Sequence, residues 1–209
     1  MFDISFTLLY IYSLPLFLLA VLLGKFVIKK SNTYLLFLSL FFFYILALLK
    51  LTLLPLPLGS LLHSLREEEQ NTLLLINLKP LWLAEHYSFL LSEQLLNVLL
   101  LIPFGFLINY LCQSNTKNIM LYMVGFTLFI EFLQFMLCLY LRYPYRVIDI
   151  NDVIYNFVGA CMGFVFFKLF SFVYVLYIDK YNIKLDPISQ FMYNAGSRHR
   201  PNRNNYVSQ

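Results

Sequence analysis

Along most of this chain polar residues are scarce, and the apolar runs between them are long enough to cross a bilayer. Five runs qualify: Asp3 to Lys25, Ser31 to Leu54, about Leu90 to Leu111, Ile119 to Leu141, and Val153 to about Phe172. A hydrocarbon core of ~30 Å takes about 20 residues of helix, and helix is needed because backbone amides find no water partners in lipid. The pattern therefore predicts an all-α membrane protein, a bundle of about five transmembrane helices. The first run is read as a retained helix. Its leading MFD carries an acid where a secretory leader has lysine or arginine, and no small-residue cleavage site follows.

The same pattern divides the chain into four segments. Residues 1–54 hold two spans, 55–89 form an extracytoplasmic loop, 90–178 hold three more spans, and 179–209 are a polar, basic cytoplasmic tail. The loop is too long for a simple turn. Within it Leu58, Leu61, Leu62 and Leu65 recur at helical spacing ahead of Arg66 to Glu69, which predicts a short interfacial helix, and Trp82, Tyr87 and Phe89 suit the headgroup layer. The tail keeps no sustained apolar period after Phe191, so its end is expected to be disordered.

Composition agrees with lipid as the solvent: with 60% hydrophobic and 12% charged residues, too little polar surface remains to coat a soluble globule. Charge then orients the bundle. With the N-terminus outside and the C-terminus cytoplasmic, ten lysines and arginines fall inside and five outside, the asymmetry expected of cytoplasmic loops. The basic tail is accordingly expected to meet anionic lipid, and nucleic acid is not an expected partner. Cys112, Cys138 and Cys161 lie in or beside different spans without metal-ligand spacing and read as packing residues.

The chemistry lies in the few polar residues that enter the spans. A carboxylate in mid-span costs about 2.5 to 3.5 kcal/mol on insertion scales, so Glu131 must face the bundle interior or a cavity, and Gln134, three residues on, shares its face. Asp149, Asp152 and Asn156 recur at three- and four-residue spacing, which puts them on one helix face, with Asp149 also suited to cap that helix. Arg146 is the natural counter-ion for Asp149, Asp152 or Glu131. Asn97 precedes Pro103 by six residues, and that proline frees a backbone carbonyl, so Asn97 and the kink can form one wall of a cavity. Gly159 and Gly163 read as a close-packing face. In the predicted orientation the whole polar set faces outward.

Taken in order, NLKP at Asn77 to Pro80, NVLLLIPFGF from Asn97 to Phe106, EFLQ from Glu131 to Gln134, and RVIDINDVIYNFVGACMG from Arg146 to Gly163 resemble the motifs of VanZ-like membrane proteins. Leu101 and Leu81 stand where that family often has aromatic residues, apolar exchanges that leave the polar set intact. The resemblance makes 90–178 a VanZ-like three-helix region and implies a link to resistance against teicoplanin and lipoglycopeptides, without naming a reaction.

Two function classes follow. In the first, the protein is non-enzymatic: its outward polar cavity binds membrane lipid, a lipid-linked cell-wall precursor, the glycopeptide itself or a partner protein. In the second, an envelope hydrolase or transferase acting on a lipid or cell-wall precursor uses Glu131 as acid or base, with Asp149 and Asp152 holding a divalent cation and Arg146 gripping a phosphate or carboxylate. The absence of an activated serine or cysteine, of HExxH and of a phosphate loop favours the first, with no cofactor expected. His63 and His86 fall in the outer loop, away from the cluster. A symmetric transporter is disfavoured because no inverted repeat is visible in five spans. The oligomeric state is not legible from the sequence.

Overall fold

The computed structural model describes residues 4–53, 76–77, 91–112, 114–141 and 148–198. Helix α1 (Ile4–Leu22) runs on into a π-helical turn, Leu23–Val27, and α2 is Asn32–Leu53. After a two-residue strand β1 (Ile76–Asn77) come α3 (Leu91–Leu111), α4 (Thr116–Leu141), strand β2 (Ile148–Asp149), α5 (Ile150–Tyr181) and α6 (Pro187–Ser197). Helices α2 to α5 each contain a stretch long and apolar enough to span a membrane, and Ile11–Val27 is a shorter apolar helix. The architecture is the all-α membrane bundle that the hydrophobic runs predict.

Helices α3 and α5 form the centre of the bundle, and glycine explains how closely they meet. A Cβ on Gly159 would lie 2.1 Å from the Val98 carbonyl oxygen, one on Gly163 1.9 Å from that of Ile102, and one on Gly105 1.9 Å from that of Ala160. Val98 faces Gly159 and Ile102 faces Gly163, so the two helices run parallel and touch backbone to backbone. In lipid, where apolar side chains gain little by leaving the solvent, close van der Waals approach of this kind supplies association energy. Three glycines of the sequence motifs thus have a packing role.

Around this pair a core forms from Leu48 of α2, Leu101, Phe104 and Ile108 of α3, Ile119, Met123 and Ile130 of α4, and Ala160 and Phe164 of α5. The Phe104 and Phe126 rings stack at 4.1 Å. A second, aromatic cluster lies at the other end, where Phe37, Tyr110 and Phe167 meet Phe191 and Ala195 of α6. Outward-facing leucines and phenylalanines such as Leu121, Phe132, Leu169 and Phe172 are exposed, as lipid contact requires.

Two features lie beyond the expected elements. Helix α5 continues nine residues past Phe172 to Tyr181, closing with Asn182 in the left-handed conformation at φ 47°. The tail then forms α6 up to Ser197. Asp186 caps it, Pro187 occupies its first turn, and Tyr193 donates a 2.7 Å hydrogen bond to Asp179 of α5. Polar composition hid this helix because only one narrow face, Phe191, Met192 and Ala195, turns inward. The expected interfacial helix between 58 and 69 and the aromatic residues Trp82, Tyr87 and Phe89 lie outside the described residues. From that loop only Ile76 and Asn77 are described, paired in parallel with Ile148 and Asp149.

Candidate functional site

The start of α5 is built by its own sequence. Asp149, extended at φ −120°, caps the helix by accepting the Asn151 amide at 2.8 Å, and the Asn151 side chain donates to the same oxygen at 2.6 Å. One of the helix's first-turn backbone donors is thereby satisfied, and the Asn151 side chain is held in place. One turn deeper, Asp152 Oδ1 accepts a 2.7 Å hydrogen bond from Asn97 Nδ2. Because α3 and α5 are parallel, this bond ties their first two turns together. The pairing of Asn77 with Asp149 brings that asparagine to the same end.

Asn156 lies one further turn into α5, on the face that Asp152 and Ala160 also use against α3. It is 3% exposed, and its Oδ1 accepts no hydrogen bond. A buried amide oxygen without a donor is costly, about 1–3 kcal/mol, so it marks a place where a hydrogen-bond donor from a ligand or water is favoured.

On α4, Glu131 is 6% exposed and lies about 15 Å in from the helix end, at 1.5 Å per residue. Its neighbour Ile130 belongs to the same buried core as Leu101 of α3 and Leu48 of α2. Gln134 has a different duty: its Nε2 donates to the Thr52 carbonyl at 3.2 Å. Thr52 is in the last turn of α2, where four carbonyls have no helical donor, so Gln134 acts as a side-chain cap for α2. Arg146 lies outside the described residues.

The polar set thus separates by role. Asp149 and Gln134 terminate helices, Asn97 and Asp152 bond α3 to α5, and Asn156 and Glu131 are buried side chains deeper at the same end. Among the described residues no group of three or more histidines, cysteines, aspartates or glutamates is placed to hold a metal ion.

Other polar residues lie inside the bundle that the sequence did not single out. The Tyr44 hydroxyl donates to the Leu100 carbonyl at 2.6 Å, beside the Leu99 carbonyl that Pro103 leaves without its helical donor. Asn109 donates back to the Gly105 carbonyl at 2.7 Å, while its Oδ1 and the Ser171 hydroxyl are buried without partners. Spacing offered a signal for both: Asn109 continues the Val98, Ile102, Gly105 face of α3, and Ser171 continues the Gly163, Phe167 face of α5.

No curated protein and no solved structure matches the chain at a significant level. The family model described as VanZ/LLP1 matches residues 41–171, more than half of the length, and runs from within α2 through most of α5 with every residue of the polar set. The chain belongs to the VanZ/LLP1 family.

Proposed function

We propose that this protein is a multi-pass protein of the bacterial cell membrane whose polar intramembrane site, facing outward, contributes to resistance against teicoplanin and related lipoglycopeptides. The observation that carries the reading is the Asn97–Asp152 bond, with Asn156 and Glu131 buried below it in an apolar bundle. A family link to glycopeptide resistance and the excess of basic residues at the opposite end support the outward direction. The site takes the polar head of an amphiphile, either a lipid-linked cell-wall precursor or the glycopeptide, while its acyl chain lies along the exposed apolar helix faces. Binding of this kind needs hydrogen-bonding groups held in place, and no paired acid and base.

The test is susceptibility of a sensitive Gram-positive host to teicoplanin and vancomycin, with wild type or Glu131→Gln at matched membrane levels. The expected result is teicoplanin-selective protection by wild type that the amide variant loses. Absence of protection from wild type would overturn the reading.

A further inference from the structure

The end of the bundle opposite the Asn97–Asp152 pair carries the α1–α2 hairpin, and three lysines, Lys25, Lys29 and Lys30, crowd into it. Lys29 adopts φ 56°, the left-handed region in which a Cβ is crowded and glycine is the unstrained choice. The turn requires that conformation. It lets the Ile28 amide donate to the Leu23 carbonyl at 2.9 Å and the Lys30 amide to the Gly24 carbonyl at 2.8 Å, closing the end of α1. It does not require a lysine. The identity of residue 29 must therefore be explained by what its exposed side chain meets.

Its neighbours are held in place. Lys25 donates to the Asn32 side chain, and the Lys30 ammonium sits 4.8 Å above the Tyr34 ring. Tyr34 in turn meets Phe191 of α6 edge-on at 6.5 Å, so the hairpin and α6 form one continuous face. The acids at this end among the described residues are engaged in α5 and α6: Asp179 accepts from Tyr193, and Asp186 caps α6 through the Ile188 amide at 3.1 Å. Lys180, Lys184 and Arg198 add to the positive charge. Beside the lysines, Phe26, Val27 and Ile28 are exposed. A ligand here meets cations and apolar surface together.

We propose that this face binds the phosphate headgroup of an anionic phospholipid, with Lys29 as the central contact and the Phe26–Ile28 surface against its acyl chains. Inorganic phosphate satisfies only the cationic half of the site; a phospholipid satisfies both.

The test uses the full chain in neutral detergent, measuring lipid retention by native mass spectrometry and melting temperature with added phosphatidylglycerol or phosphatidylcholine. Wild type is expected to retain phosphatidylglycerol over phosphatidylcholine and to melt higher with it. Lys29→Gly should melt at or above the wild-type temperature in phosphatidylcholine, since strain is relieved, yet lose about fivefold of its preference for phosphatidylglycerol. Lys30→Gln should lose preference comparably without touching the strained position. Equal retention of both lipids by wild type, or unchanged preference in both variants, overturns the proposal. Stabilisation by inorganic phosphate equal to that by phosphatidylglycerol also overturns it, in favour of a free-anion site.

Discussion

Replacing Gly163 with alanine tests whether the close approach of α3 and α5 holds the polar end together. The added Cβ would lie 1.9 Å from the Ile102 carbonyl oxygen and 2.9 Å from the Phe106 nitrogen. Carbon–oxygen contacts settle at ~3.3 Å or more, so the helices must part by about 1.4 Å. Both contacts are backbone, so no side chain can swing aside. The 2.7 Å Asn97–Asp152 bond lies on the same pair of stiff helices, and an opening of that size takes it past the ~3.5 Å at which a hydrogen bond is no longer made. Overpacking costs about 1–3 kcal/mol and the lost bond about 0.6 more in a membrane, against a gain of up to ~1 kcal/mol from replacing glycine in a helix. The expected net loss is about 1–3 kcal/mol. Gly125 is the control: nothing lies within 4 Å of its would-be Cβ, so alanine there should be neutral or stabilising. Unfolding of both variants in mixed micelles with rising dodecyl sulfate, followed by circular dichroism, separates the cases. A Gly163→Ala protein as stable as wild type, or a Gly125→Ala protein equally damaged, would refute the reasoning.

Gln134→Leu should lower membrane abundance and stability by about 1–3 kcal/mol, because it leaves the Thr52 carbonyl without its donor, while resistance per folded molecule is retained; quantitative blots alongside susceptibility check this. The Asp186 carboxyl is held below its ordinary value of 3.8 by its hydrogen bond with Ser189, then by the backbone amides of Ile188 and Ser189. A depressed folded value means that its contribution to α6 is fully present above the unfolded pKa and is lost as pH falls through the folded one. Protection factors for the amides in 187–197, taken relative to intrinsic exchange at each pH, should therefore hold steady from neutral pH down to about 5 and fall only in stronger acid, with Asp186→Asn removing that acid dependence.

Much of the bundle was legible because its solvent is lipid. Long apolar runs fix where helices form, and the cost of a polar group inside them singled out Glu131, Asn97 and Asp152. The spacing of Gly159 and Gly163 gave their packing face, although the partner helix and the third contact, Gly105 on Ala160, needed three dimensions. The separate duties of the polar residues were hidden for a physical reason. Gln134 shares a helix face with Glu131, yet its amide reaches the end of α2, more than eighty residues earlier in the chain. Nothing local to EFLQ records that partner. Tyr44 is similar: one tyrosine in an aromatic-rich span does not reveal that its hydroxyl bonds the Leu100 carbonyl of α3. For α6 the signal was present in Asp186 followed by Pro187, a helix cap and a favoured first-turn residue.

Function is placed at the half-buried Asn97–Asp152 pair where α3 meets α5, and Asp152→Asn removes the carboxylate's charge while keeping an acceptor for the Asn97 amide. Teicoplanin susceptibility should be measured in a host expressing this variant and wild type at equal membrane levels, with melting temperatures taken in parallel. The expected result is a folded, normally abundant variant that has lost teicoplanin protection. Full protection by Asp152→Asn would contradict it and leave the Asn97–Asp152 pair as a helix clamp alone.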